Sequence, residues 1–276
     1  MLTIVIPLGV TSYWGDNELR YHLRSLQQNI LTDFEVVVLS DQKLPDWATN
    51  IRLIHVDRFY PEGLEDRRYE GHRHYENFFD TTSKLYEYCM RSDCPKEFVW
   101  AYDDQLLLKP IVSFDMFNGV AVCKEKIRRF DGKRHTKHEN TLIAAIEIVR
   151  RRTQRNGVYN CETHAYKPYN KDKLRNIFKF DDPRGLDVPY AVNTVYQNMF
   201  CDMGILLKET REKLIAYLHW ADGTPHHFVA TDNQELNYIF DNYTMLSYND
   251  TGLFACGCLL QKAIEEKFPA KSIFEI

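Results

Sequence analysis

Apolar and polar positions alternate along the first hundred residues in short blocks whose period changes in a regular order. Leu2-Thr3-Ile4-Val5-Ile6-Pro7-Leu8 is a continuous apolar run and predicts a buried strand. From Asn17 to Asn29 apolar side chains return at Leu19, Leu23 and Leu26, the spacing of one helix face, with Asp16 placed to cap it. Phe34 to Leu39 and Ile51 to Val56 are further β-branched runs, separated by the loop Ser40-Asp41-Gln42-Lys43-Leu44-Pro45-Asp46. Thr81 to Arg91 predicts a second helix, capped by Asp80, which leads into the apolar stretch Phe98 to Leu108. Strand, helix, strand, short connection, strand, helix, strand is the order of a parallel sheet covered on both faces.

The second half is less regular. Asn140 to Arg152 predicts a helix with Leu142, Ile143, Ile146 and Val149 on one face, and Leu186 to Met199 another, with Pro189 in its first turn. No repeat or disordered linker is visible. The division this suggests is 1-122 as a ligand-binding α/β half and 123-276 as the second half of the same domain, with a basic loop at 123-138.

Within Phe98 to Leu108 the pattern breaks at Asp103 and Asp104. A carboxylate costs several kcal/mol to bury unless it is paired or coordinates a cation. Two of them where a core strand emerges therefore suggest a divalent metal carrying a phosphate. The alternative is an exposed turn in which they cap the following segment. Ligands in parallel sheets bind at the carboxyl ends of strands, and Gly9 to Asp16, Ser40-Asp41 and Asp103-Asp104 all fall there.

The composition, 44% hydrophobic and 27% charged over 276 residues, is that of an ordinary globular chain, and a net charge of -4 argues against a non-specific nucleic-acid binder. The N-terminal apolar run is too short for a signal peptide or a membrane span, and seven irregularly spaced cysteines form no zinc pattern. Together these suggest reduced thiols in a cytoplasm. Lys124 to Lys137 concentrates basic residues, either as a loop that meets an anionic substrate or as a solvated hairpin.

Arg20 and Arg24 lie four residues apart on one helix, and two guanidinium groups so placed can clamp a diphosphate. Pairing with surface carboxylates such as Glu18 is the plainer account. Lys84, one turn into its predicted helix, is a candidate phosphate ligand, against the alternative of an exposed lysine. His226 or His227 can complete a metal shell, or be surface residues.

These blocks carry a family resemblance. Asp16 to Leu26, Leu44-Pro45-Asp46-Trp47, Ile51 to Asp57 and Phe98 to Pro110 together resemble the second conserved region of the Stealth family of sugar-1-phosphate transferases. Glu162 to Lys171 resembles that family's next region, in which a His serves catalysis, and His164 matches it. Arg184, ahead of a predicted helix holding Tyr190, Val195 and Tyr196, matches the family's Arg before its next aromatic-rich helix. The chain departs from the family where Tyr102 replaces an Asn, where Gln105 follows the acidic pair, and where the Trp-Val-Asp-Gly region is absent or collapsed into Gly9 to Asp16.

The wider similarity is to GT-A glycosyltransferases, in which an Asp-x-Asp-type pair holds Mn²⁺ or Mg²⁺ against the diphosphate of a nucleotide sugar. Asp232-Asn233-Gln234-Glu235-Leu236-Asn237 looks like the acceptor-side helix of many such enzymes, although Asp232 with Glu235 also reads as a capping box. The resemblance implies a GT-A-like (Rossmann-like), mostly parallel twisted sheet flanked by helices, with a mainly helical acceptor-side half. It implies a nucleotide-sugar donor and a glycan or other hydroxyl acceptor, and Asp41, by its place after the second strand, is a candidate donor ligand.

Two chemistries follow from it. In sugar transfer, Asp232 or Glu162 orients or deprotonates the acceptor and a nucleoside diphosphate leaves. In sugar-phosphate transfer, His164 is the general base, Arg184 steadies the phosphoryl oxygens, and a nucleoside monophosphate leaves. A carbohydrate-binding protein without turnover and a phosphate-ester hydrolase are the remaining alternatives.

Overall fold

The computed structural model describes residues 1–9, 14–59, 73–118, 125–127, 137–155, 157–186, 188–201, 215–218 and 232–276. Its main sheet has five strands in the order β3-β2-β1-β4-β8. These are β1 (Leu2–Pro7), β2 (Phe34–Ser40), β3 (Arg52–His55), β4 (Glu97–Trp100) and β8 (Lys167–Asn170); the short helix α3 (Phe114–Asn118) and the antiparallel pair β6 (Glu125–Ile127) and β7 (Val158–Asn160) lie outside that sheet. The first four run parallel, and β8 closes the edge beside β4 in the opposite sense. The expected mostly parallel sheet flanked by helices is therefore present. Its antiparallel member passes unnoticed in the sequence because Pro168 interrupts it. Proline is tolerated there because an edge strand needs hydrogen bonds on one side only.

The inner strands β1, β2 and β4 are buried on both faces, as continuous apolar runs require, while edge strand β3 is largely exposed. Val5, Val37, Phe98, Trp100 and Tyr169 pack toward helices α2 (Arg73–Met90), α4 (Lys137–Thr153), α5 (Lys171–Phe180) and α6 (Val192–Phe200). Ile4, Ile6, Val36, Val38 and Val99 pack toward Leu19, Leu23 and Leu26 of α1 (Asn17–Asn29). Each such fully buried aliphatic side chain contributes about 1.5–3 kcal/mol.

The stretch Phe98 to Leu108 is two strands rather than one. After β4 the chain turns through residues 101–104 and continues as β5 (Gln105–Leu107), which pairs with β10 (Met245–Tyr248) in a three-stranded sheet completed by β9 (Ile215–Leu218). That sheet has its own core, in which Leu106, Leu218 and Leu246 meet α7 (Asn233–Asn242) and α8 (Asp250–Lys267).

Three helix boundaries differ from the sequence reading. Helix α2 begins several residues before Asp80, whose carboxylate is taken up by Lys84 one turn on, at 2.7 Å, instead of capping the helix. Asp16 does precede α1, but in a left-handed conformation (φ 61°) with no side-chain cap bond. The segment from Leu186 becomes helical only at Val192, after Pro189, and Pro183–Gly185 forms a short 3-10 turn. Most of the basic loop at 123-138 lies outside the described residues.

Candidate functional site

Strand order reverses between β1 and β4. From β1 the chain winds outward through β2 to β3, then returns to place β4 on the other side. At such a point the connections leave in opposite directions and open a crevice above the carboxyl ends of the two strands. Leu8 and Gly9 follow β1 there, and Tyr102, Asp103 and Asp104 follow β4. Both aspartates are half-buried in the turn that joins the two sheets.

The turn is fastened on every side. Gln105, buried, accepts the Tyr102 N–H through Oε1 at 3.0 Å and donates through Nε2 to the His164 carbonyl at 2.6 Å. The Asp104 carbonyl accepts the Tyr248 N–H at 3.2 Å, which ties the turn to β10. Beneath it, Ser25 of α1 accepts the Leu107 N–H at 3.1 Å and Asn29 donates to the Leu107 carbonyl at 2.7 Å. His22 of the same helix is wholly buried, with Nε2 3.0 Å from the Tyr166 hydroxyl. Burial pushes its imidazole down to about 3, against the opposing pull of the Tyr102 backbone, so it is neutral near pH 7.

His164 is exposed and stands beside the turn, its ring 6.3 Å from that of Tyr102. Glu162 joins the same cluster in a different capacity from an acceptor base. One carboxylate oxygen receives Lys167 Nζ at 3.3 Å and the other the Thr194 N–H of α6 at 3.0 Å. Both of its oxygens are thus engaged in holding structure.

Lys84 is buried rather than exposed. Its ammonium donates to the Leu8 carbonyl at 3.0 Å and to Asp80 Oδ2 at 2.7 Å, which places a fixed cation at the end of β1. Asp41 follows β2 at the same edge, and its Oδ1 is shut off from solvent with no hydrogen-bond donor among the described residues. A buried acceptor left without a donor costs about 1–3 kcal/mol, and a ligand can recover that cost.

Other expected residues are elsewhere. Arg24 grips Glu275 with two bonds of 2.8 Å and donates to the Phe268 carbonyl at 3.1 Å. Arg20 lies over the Trp47 ring at 4.6 Å and within 3.6 Å of the same Glu275. The pair therefore anchors the C-terminal segment, and its partner is Glu275, not the neighbouring Glu18. Arg184 stacks on Tyr86 at 4.0 Å and binds Glu87 at 2.6 Å, lining a cleft of about 400 Å³ beside edge strand β3 with His55, Asp57, Arg58 and Ser83. Neither His164 nor the acidic pair lines that cleft. Asp232 is exposed at the start of α7, where it accepts the Glu235 N–H at 2.9 Å as the capping reading expects. His226 lies outside the described residues.

Among the described residues no group of three His, Cys, Asp or Glu side chains converges closely enough to hold a metal by itself. The donor set of the turn, two carboxylates, suits a hard divalent cation whose remaining positions are filled by water and phosphate oxygens. It does not suit a centre closed by protein ligands alone.

No protein-family model matches the chain, and no curated protein matches it either. Among solved structures it is similar to glycosyltransferases. One is the galactosyltransferase LgtC in complex with donor and acceptor sugar analogues, 14% identical over 98% of this chain and 96% of that one, with a TM-score of 0.49. An active-site mutant of LgtC is 15% identical over 99% and 98%, with the same TM-score of 0.49. The bifunctional glycosyltransferase WbbM is 9% identical over 98% of this chain and 50% of that one, with a TM-score of 0.42.

Proposed function

We propose that this chain is a glycosyltransferase that binds a nucleotide-sugar donor over the carboxyl ends of β1, β2 and β4 and moves the sugar to an acceptor hydroxyl. The observation that supports the reading is topological: the Asp103–Asp104 turn, the Lys84 ammonium on Leu8 and the buried, unmet Oδ1 of Asp41 follow the carboxyl ends of the neighbouring strands β4, β1 and β2. Two carboxylates at a strand end suit a ligand that is itself a metal-bridged polyanion. Asp103 and Asp104 are the residues that would hold Mn²⁺ or Mg²⁺, which when bound neutralises charge on a departing diphosphate.

The roles of the remaining residues follow from their contacts. Asp41 is suited to accept from a hydroxyl or N–H of the nucleoside, since a buried carboxylate oxygen is an acceptor only. Lys84 holds the end of β1, with its charge met by Asp80. His164, exposed beside the turn, is the group best placed to take a proton from an acceptor hydroxyl. That same position supports the second reading, transfer of sugar-1-phosphate with His164 as base.

The test is incubation with a panel of nucleotide sugars, Mn²⁺ and glycan acceptors, with nucleotide products resolved by mass spectrometry. Sugar transfer yields a nucleoside diphosphate, and a monophosphate selects the second reading. Binding of glycan with no donor turnover at any metal concentration would leave only the carbohydrate-binding alternative.

A further inference from the structure

Tyr102, immediately before the acidic pair, is half-buried and its hydroxyl is held from below. Lys167 Nζ, at the start of β8, donates to the phenolic oxygen at 3.1 Å. The same ammonium donates to Glu162, which in turn receives the Thr194 N–H. The backbone N–H of Tyr102 is engaged by Gln105. Burial alone would push the Lys167 ammonium down, but Glu162 and Tyr102 outweigh it and the net shift is upward, so the group stays charged at neutral pH.

The consequence lies in the count of protons. A phenol carries one O–H to give and lone pairs with which to accept, whereas an ammonium only gives. The Lys167 bond therefore occupies a lone pair of Tyr102, and the phenolic proton must be aimed at a different acceptor. A tyrosine set against a carboxylate would have spent that proton on it. Here the carboxylate of Glu162 is kept one step away, on the far side of the lysine. The three groups act as a device that fixes a hydrogen-bond donor next to the acidic turn. A diphosphate, with acceptor oxygens only, is the ligand chemistry that a fixed donor matches.

We propose that Tyr102 is a ligand-contacting residue whose hydroxyl donates to a diphosphate oxygen of the donor bound at the Asp103–Asp104 turn, with Lys167 and Glu162 as its positioning pair. The inference rests on the acidic turn being the diphosphate site.

Inorganic pyrophosphate, titrated calorimetrically with and without Mn²⁺, is a probe independent of base and sugar. Tyr102→Phe keeps the ring and removes only the donor, so it retains the wild-type melting temperature and loses about tenfold in Mn²⁺-linked pyrophosphate affinity. Lys167→Met combined with Glu162→Gln removes the ion pair as a unit, leaving no lone buried charge, and shows a similar loss. Asp103→Asn with Asp104→Asn binds pyrophosphate equally with and without Mn²⁺. Wild-type affinity in Tyr102→Phe, with Mn²⁺ dependence lost in the double Asn variant, overturns the Tyr102 assignment alone. Mn²⁺ dependence retained in the double Asn variant overturns the site and the assignment with it. A loss in Tyr102→Phe without a loss in the folded lysine–glutamate variant overturns the positioning role. Should that variant not fold, Tyr102→Phe still decides the contact.

Discussion

Two pairs of cations border the main sheet, Arg20 with Arg24 and Lys84 with Lys167, and they differ in what surrounds them. The arginines look like the ligand clamp, evenly spaced on one helix face, yet both reach toward Glu275 near the end of the chain. Their side chains are 28% and 12% exposed. The lysines share no spacing, are 1% and 6% exposed, and both stand where strands meet the crevice. Spacing reports which residues share a surface. Depth of burial, and which oxygens a cation is held against, report which of them the fold fixes at the strand ends, since a buried charge is kept only where acceptors meet it.

The contrast is broken or sharpened by substitution, in order of expected effect. Lys84→Met strands the Asp80 carboxylate in the interior, and urea unfolding should show a loss of about 3–5 kcal/mol, most of it recovered when Asp80→Asn is added. Replacing Asp103 and Asp104 together by Asn should lower turnover about 10²–10³-fold while stability moves by less than about 0.5 kcal/mol. An equal fall in stability would make the turn a structural element only. Arg24→Ala should cost about 1.5–3 kcal/mol of stability, the range for hydrogen bonds to a charged partner, with donor affinity unchanged. A loss of nucleotide binding in that folded variant would return the arginines to the ligand site.

The smallest effect is one of pH. Burial pushes the Glu275 carboxyl up, but hydrogen bonds from Arg24 and Ser272 prevail and hold it below the usual range. A depressed folded pKa means stability that is present above the unfolded value of about 4.3 and is lost as pH falls through the folded one. Thermal melts of wild type and Glu275→Gln should therefore differ most near neutral pH and converge in acid. A gap that persists in acid would show that Glu275 acts by packing.

The parallel core was legible because β1, β2 and β3 are runs with a single period and α1 has a clean apolar stripe. The turn at residues 101–104 was legible as a break in an apolar run but not as the boundary between two sheets. An apolar run does not reveal that its two halves belong to different sheets, since Trp100 and Leu106 are equally buried whichever sheet owns them. The fate of Arg24 and Arg184 was hidden for a different reason. Their partners, Glu275 and Glu87, lie 251 and 97 residues away, and no local pattern encodes a contact of that range. Lys167 had no signal at all, because a lysine in a short strand with proline reads as a surface edge.

Because β4 and β5 are continuous in the chain but hydrogen-bonded into separate sheets, the two aspartates stand on a seam. Anything gripped there stitches one half of the fold to the other. Loading the crevice should thus slow amide exchange in β10, which lies on the far side of that seam, and the molecule would register its cargo as a gain in rigidity.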